Sequence, residues 1–176
     1  MFIKSKILLV LSAAVIFISC TSNEKPESKE VKAAPENKYT ISLKEAVDKF
    51  SKAVFDRDTA TLFSLQDSNI AMTFRGQTTV FGLTPEYKKN VAMQLMDTSM
   101  RMTTTYNIEE VKTGQEEPVW AGYDKGIFTQ TIVSTDGKYN RKVSGPYFRS
   151  WSLQNGQWKC YHIAVMAFSC EGNDCK

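Results

Sequence analysis

The chain has 176 residues, 42% of them hydrophobic and 23% charged, and a formal net charge of +3. This length is enough for one domain with one modest core, and the absence of a basic run argues against a nucleic acid partner. The sequence contains no P-loop, dinucleotide-binding glycine motif, haem-attachment motif or hydrolase nucleophile elbow, so we predict no cofactor.

Residues 1–19 are typical of an export signal. Two lysines precede an apolar run over residues 7–18 that is too short to span a membrane. The end of the run resembles the lipobox of bacterial lipoproteins, with Ser19 before Cys20 and with Phe17 where that pattern favours leucine. The resemblance implies lipidation of Cys20 and attachment to a membrane of the bacterial cell envelope, facing the periplasm or the cell surface. The alternative is an ordinary secretory signal that is cut near the same place.

Residues 20–40 are predicted to be a disordered tether that follows the lipidated cysteine. They mix lysine with glutamate, and Val31 is the single large aliphatic residue between residues 21 and 38. Such a segment buries too little apolar surface to offset the entropy lost on ordering. Removal of the signal removes two lysines and no acidic residue, which lowers the formal net charge from +3 to +1.

Residues 41–168 are predicted to form one domain that begins with two helices. The first helix is expected over residues 41–55, with Ser42 and Glu45 as a capping box and with one apolar face. Asp58 is a good N-cap for a second, short helix.

The spacing of apolar residues then changes to that of a strand, because Ile70, Met72 and Phe74 alternate with polar or small residues. A second strand follows, and a threonine and a proline at residues 84–85 predict the start of a third helix. From residue 102 onward the pattern predicts four long antiparallel strands.

The long strands are expected to be joined by tight turns. Asp136-Gly137 and Asn155-Gly156 are typical of two-residue hairpin turns, and a kink or bulge is expected over residues 124–126.

A type I′ turn at Asn155-Gly156 fixes the register of the closing hairpin. Counting outward from it predicts four pairs on one face of the sheet, namely Leu153 with Trp158, Trp151 with Cys160, Arg149 with His162, and Tyr147 with Ala164. The apolar pairs next to the turn indicate that this face is buried. Because burial of an unpaired arginine is costly, the polar group of Tyr147, Arg149 and His162 predicts a hydrated cavity or ligand site. The alternatives are that Arg149 and His162 reach water at the sheet edge, or that Arg149 pairs with a structural carboxylate.

The closing hairpin and the order of elements resemble the nuclear transport factor 2-like fold. Residues 145–163 are similar to the closing hairpin of SnoaL-like and ketosteroid-isomerase-like domains, and the matching residues are Gly145, Tyr147, Trp151, Gly156, Trp158 and Lys159. Residues 55–74 also resemble the second helix and first strand of that family. The resemblance covers residues 41–168 and implies an α+β fold, in which a cone-shaped, strongly curved and mostly antiparallel sheet wraps around the N-terminal helices.

We consider three functional hypotheses. The first is a binding module for a small apolar or amphipathic ligand, with Trp151 and Trp158 as an apolar wall and with Tyr147, Arg149 and His162 orienting a polar end. The second is an isomerase or dehydratase, in which His162 moves protons and Tyr147 donates to an oxyanion.

The carboxylate base of the isomerase-like proteins has no assignable counterpart, because Asp56, Asp58 and Asp124 are candidates by residue type only. Asp124 is also explained as a turn residue.

The third hypothesis is a homodimer formed through the opposite face of the sheet, where Phe148, Tyr161 and Ile163 are expected.

The cysteines agree with an exported protein. Cys170 and Cys175 are predicted to form a disulfide that closes a C-terminal tail over residues 169–176, and Cys160 is expected to be a small buried thiol. A bridge from Cys160 to one of the tail cysteines is the alternative. Two cysteines and a distant histidine are a poor zinc site, so no metal is predicted.

Overall fold

The computed structural model describes residues 36–74, 77–166, 169–173 and 175. The signal, the lipidated cysteine and most of the tether predicted from the sequence lie outside these residues. The helices and strands follow in chain order: α1 (Lys38–Asp56), α2 (Thr59–Ser64), β1 (Gln66–Phe74), β2 (Gln77–Val80), α3 (Pro85–Met96), β3 (Met100–Thr113), β4 (Ala121–Ser134), β5 (Asn140–Gln154), β6 (Gln157–Val165) and β7 (Ser169–Gly172). Within the described ranges, no helix has the length and apolar character needed to cross a membrane.

The strands form one curved sheet in the order β2-β1-β6-β5-β4-β3, and β7 pairs with β5. Only β1 and β6 run parallel among the pairs along this order. Helix α1 packs its buried face on the inside of the sheet, and this face consists of Leu43, Val47, Phe50 and Ala53. The α+β prediction, with a mostly antiparallel sheet wrapped around the N-terminal helices, is therefore confirmed.

Helix α1 begins earlier than the sequence pattern predicts. Its N-cap is Asn37, whose Oδ1 accepts a hydrogen bond from the amide of Thr40 at 2.8 Å. The predicted cap, Ser42, lies inside the helix, where its hydroxyl donates to the carbonyl oxygen of Tyr39 and accepts from the indole of Trp158. The capping-box prediction is wrong because Ser42 is used for tertiary packing, and the helix takes up the last residues of the predicted tether.

The other two helix starts agree with the sequence. Asp58 caps α2 by accepting a hydrogen bond from the amide of Thr61 at 3.0 Å. Thr84 caps α3 in the same way, and the proline that follows it occupies the first turn.

The turns agree with the sequence in one case and differ in the other. Asn155 and Gly156 both have positive φ, as a type I′ turn requires. In the β4–β5 connection only Gly137 has positive φ, and residues 135–139 separate the two strands. The prediction of a two-residue turn there is wrong, because Ser134 and Tyr139 close a wider loop through a backbone hydrogen bond.

Two bulges in the long strands change which side of the sheet the following side chains occupy. The register of β3 against β4 shifts between Ile108 and Glu110, opposite the position predicted for a bulge near residues 124–126. The second bulge lies in the closing hairpin between the Trp151–Cys160 and Ser150–His162 pairs, so it leaves Tyr161 as the extra residue.

The second bulge overturns half of the predicted register. The pairs next to the turn, Leu153–Trp158 and Trp151–Cys160, are as predicted, but beyond the bulge Arg149 lies opposite Ile163 and Tyr147 opposite Val165. The predicted pairs Arg149–His162 and Tyr147–Ala164 are wrong, because one inserted residue exchanges the two faces of β6.

Candidate functional site

A buried ion pair occupies the interior of the cone. Nη2 of Arg149 lies 2.7 Å from Oδ2 of Asp124, and Nε lies 3.0 Å from both carboxylate oxygens. Both residues have 0% of their surface exposed. A pair removed from water in this way loses hydration, and it persists only where further hydrogen bonds satisfy its polar atoms.

Two of the aromatic residues predicted to bind ligand supply those further hydrogen bonds. The hydroxyl of Tyr147 donates to Oδ2 of Asp124 at 2.9 Å, and Nε1 of Trp151 donates to Oδ1 at 2.6 Å. The structure therefore brings Tyr147, Arg149 and Trp151 together around a carboxylate. Among the three sequence interpretations of Arg149, pairing with a structural carboxylate is the one observed.

Aromatic rings enclose the guanidinium group. Its central carbon lies 4.6–5.8 Å from the centres of four rings, those of Tyr106, Phe50, Tyr147 and Trp151. Burial raises the pKa of Tyr106 and Tyr147, so both phenols stay neutral. In the part of the chain that the structure describes, Nη1 of Arg149 has no hydrogen-bond partner. The group is closed to solvent and forms part of the core.

Asp124 has a different place in the fold from the one that its sequence context predicts. The sequence pattern predicts a turn residue, but Asp124 is the fourth residue of β4 and lies directly opposite Arg149. Counting outward from a turn centred on Asp136 and Gly137 gives this same pair, although the strands separate before they reach those two residues. The pairing of Asp124 with Arg149 can therefore be predicted from the sequence.

Trp158 and Cys160 also belong to the core. Trp158 is 4% exposed and donates its indole N–H to Ser42 at 3.0 Å. Cys160 is a free, fully buried thiol, and burial raises its pKa to about 12. Cys170 and Cys175 are joined by a disulfide.

His162 lies apart from this group. It is half-buried on the outer face of the sheet, and its Nε2 lies 2.7 Å from Oγ1 of Thr73. The hydroxyl of Thr73 in turn lies 2.6 Å from that of Thr78. The predicted cluster of Tyr147, Arg149 and His162 does not form, because the bulge at Tyr161 turns His162 to the opposite side.

The outer face differs from its prediction in a similar way. Phe148 stacks on Tyr123 with ring centres 5.1 Å apart, and Tyr161 is 40% exposed. Ile163 packs against the core instead, since it pairs with the inward-facing Arg149. A homodimer through this face stays a prediction.

An open cleft lies between α3 and the β1–β2 pair, and we call it the α3 cleft. Its volume is about 530 Å³. The apolar wall consists of Met72, Val80, Phe81 and Val91, and the polar lining consists of Thr84, Glu86, Tyr87, Asn90 and Gln94.

Local sequence explains why the cleft is preformed. Tyr87, Val91 and Gln94 follow helical spacing, so they lie on one face of α3. Leu95 is buried and holds the far end of the helix. Gly82 precedes the helix and has a φ of +62°, which favours glycine. Its amide donates a hydrogen bond to the carbonyl oxygen of Ile70 in β1.

Tyr87, which lines the α3 cleft, is hydrogen-bonded to the buried side chain of Gln66. Nε2 of Gln66 donates to the hydroxyl oxygen of Tyr87 at 3.1 Å. Gln66 is only 5% exposed, and its Oε1 finds no hydrogen-bond partner within the described ranges. Burial raises the pKa of Tyr87, which keeps its hydroxyl neutral.

The local sequence does not predict this cleft. Helical spacing places Tyr87 and Val91 on one face of α3, and Gln66 belongs to no pattern in the sequence. Only the packing of α3 against β1 and β2, which the local sequence does not specify, brings the two side chains together.

Comparisons with known proteins identify the fold. No family model matches the chain, and no curated protein matches it. A ketosteroid isomerase-like protein from Erwinia carotovora atroseptica is similar in structure, with a TM-score of 0.55 and 11% identity over 80% of this chain and 100% of that one.

Two further solved structures are similar. A nuclear transport factor 2-like protein of unknown function from Pseudomonas putida has a TM-score of 0.50 and 14% identity, over 73% of this chain and 86% of that one. A conserved protein from Planctomyces limnophilus has a TM-score of 0.58 and 16% identity, over 76% and 96%.

This chain therefore has the nuclear transport factor 2-like fold, and the resemblance inferred from its closing hairpin is confirmed. At such low identity the likeness shows the fold alone, and the same fold carries many functions.

Proposed function

We propose that the domain is a binding module for a small, mostly apolar molecule, which it holds in the α3 cleft. The observation that carries the proposal is a cleft of about 530 Å³ whose lining combines an apolar wall with several polar side chains, among them Tyr87. Ligand pockets typically combine an apolar lining with a few fixed polar groups.

The proposed ligand site does not include the residues that the sequence predicts to bind ligand. Arg149 and Trp151 have no exposed surface, and Arg149 is already paired with Asp124. Both residues belong to the core, and neither lines the α3 cleft. Acid–base catalysis by His162 is not part of the proposal, because this side chain lies on the outer face of the sheet and is hydrogen-bonded to Thr73.

Filling the α3 cleft tests the proposal. Val91→Phe places a phenyl ring on the helix face that lines the cleft, whereas Met93→Phe places the same ring at a 60% exposed position of the same helix. The neutral probe N-phenyl-1-naphthylamine gains fluorescence in apolar surroundings, so titration with the protein gives its dissociation constant. We expect at least a tenfold weaker complex in Val91→Phe and an unchanged one in Met93→Phe. Equal affinities in both variants would reject the cleft.

We also propose that the protein is an exported lipoprotein anchored to the cell envelope through Cys20. The support is the lysine-led apolar run and the Ser19–Cys20 sequence at its end. Expression of the wild type and of Cys20→Ser in a bacterial host, followed by membrane fractionation and mass spectrometry of the N-terminal peptide, tests this. The proposal requires a diacylglyceryl mass on the wild type and a soluble Cys20→Ser protein; an unmodified Cys20 would contradict it.

A further inference from the structure

We infer that Trp120 docks the domain on the surface of the lipid bilayer to which Cys20 attaches the chain. This inference rests on the proposed lipid anchor and adds a second contact with the same membrane. Trp120 is 70% exposed, more than any other large hydrophobic residue that the structure describes. Tryptophan is highly buried on average, so an indole ring that folding leaves in water is available to a partner.

The ring of Trp120 is held outward by an ordered backbone. Val119, directly before it, is 6% exposed and belongs to the core. The carbonyl oxygen of Trp120 accepts a hydrogen bond from the amide of Leu153 at 2.8 Å. The next carbonyl oxygen, that of Ala121, accepts one from the amide of Gly114 at 3.2 Å. The indole is therefore presented in a fixed place, and little further ordering of the backbone is needed when it binds.

Trp120 lies at the end of the domain where the chain enters from the tether. Asn37, the N-cap of α1, accepts a hydrogen bond at 3.4 Å from the hydroxyl of Thr113, the last residue of β3. Nζ of Lys38 forms an ion pair with Oε1 of Glu117 at 3.6 Å. Because the loop between β3 and β4 carries both Glu117 and Trp120, the start of α1 contacts the loop that presents the indole.

The length of chain before the domain lets this end reach the bilayer. Glu36 is the sixteenth residue after Cys20, and a fully extended chain of that length spans at most roughly 55 Å. Such a tether keeps the domain at a high effective concentration beside the lipid, so a weak contact is enough to orient it. An indole suits this contact, because tryptophan is enriched where hydrocarbon meets water.

The charges near Trp120 favour a neutral lipid surface. The loop between β3 and β4 carries Glu116 and Glu117, and Lys38 is already paired with Glu117. An anionic surface would meet two acidic side chains there, whereas attraction to anionic lipid requires a basic cluster. The inferred contact is therefore apolar, and phosphatidylcholine is the appropriate test surface.

Fluorescence quenching in vesicles tests the inference, because the other two tryptophans, Trp151 and Trp158, are only 0% and 4% exposed. The full-length lipidated chain is reconstituted in phosphatidylcholine vesicles with and without bromine on the acyl chains, since brominated chains quench tryptophan on contact. We expect brominated lipid to remove about one third of the emission, the share of one tryptophan in three. The emission of Trp120→Phe should stay unchanged. Iodide in the water should quench the wild type less in vesicles than it quenches Cys20→Ser, which lacks the anchor.

The double variant Trp120→Phe/Met93→Trp is the matched control. Met93 is 60% exposed on α3, which lies beside β1 and β2 at the other edge of the sheet from β3. The tryptophan placed there should be quenched by iodide and not by brominated lipid. Thermal unfolding identifies any variant that does not fold, and the wild-type measurement decides without it.

The outcomes separate the anchor from the docking contact. An unmodified Cys20, with the protein absent from the vesicles, would reject the anchor and the inference with it. Anchored protein whose emission is the same in brominated and ordinary lipid would overturn the docking and leave the anchor in place. Protection of Trp120 from iodide in that case would indicate a second copy of the chain as its partner, and lipid quenching of Met93→Trp would place the bilayer against α3.

Discussion

Removing the charge of Asp124 should severely destabilise the domain. In Asp124→Asn the side chain keeps its size, but Arg149 is left as a fully buried positive charge without a counter-charge. The carboxylate also receives hydrogen bonds from Tyr147 and Trp151, and an amide accepts these less well. Breaking a buried ion pair from one side costs about 3–5 kcal/mol, a large share of the ~5–15 kcal/mol that holds a domain folded.

Urea unfolding, followed by tryptophan fluorescence, measures this loss. With a slope of about 1–3 kcal/mol per molar urea, the midpoint should fall by more than about 1 M. Lys142→Met is the matched control, because it breaks the exposed Lys142–Glu171 pair and should cost less than about 1 kcal/mol. If Asp124→Asn cost no more than Lys142→Met, the buried charge of Arg149 would not depend on Asp124 as its counter-charge.

The double variant Asp124→Leu/Arg149→Met separates charge from packing. It leaves no buried charge, so it should recover most of the stability lost in Asp124→Asn. A double variant as unstable as the single one would show that the cost comes from repacking among the aromatic rings.

Three other predictions follow from the structure. Hydrogen bonds from Lys112 and then from Lys125 lower the pKa of Glu110 from 4.5 to about 2. The stability that Glu110 contributes is therefore complete above about pH 4.5 and is lost as the pH falls towards 2. The Glu110→Gln variant should lack this part of the acid-induced loss of stability when unfolding is measured as a function of pH. Gly126→Ala should unfold the domain, because a Cβ there overlaps the backbone oxygen of Asn107, whereas Gly114→Ala, with open space around it, should melt like the wild type. His162→Ala should cost about 1 kcal/mol for its lost hydrogen bond and leave probe binding in the α3 cleft unchanged, and weakened binding would contradict the separation of the two sites.

The closing hairpin shows how far sequence reasoning reaches. Asn155-Gly156 specifies a turn type, and this fixes Leu153 against Trp158 and Trp151 against Cys160. Local chemistry does not indicate a bulge at Tyr161, since nothing in that residue type requires one. Beyond the bulge the predicted faces of β6 are reversed while those of β5 are as predicted, which is why His162 lies on the opposite side from Arg149.

The two sites differ in how much of each the sequence determines. The buried pair follows from register alone, because counting from Asp136 and Gly137 places Asp124 opposite Arg149. The α3 cleft depends on how a helix packs on a strand pair that is distant from most of the sheet. Helical spacing predicts which face of α3 carries Tyr87, but it does not predict that Gln66 lies behind it.

The most direct test of the account is an NMR titration of the ¹⁵N-labelled protein with 2-naphthol. The account predicts that the largest chemical-shift changes fall on the backbone of the α3 cleft, at Val80, Phe81, Tyr87 and Val91. Changes centred on Asp124 and Arg149 would place the ligand inside the cone and contradict the assignment of the site. An absence of any change at millimolar ligand would contradict the binding function itself.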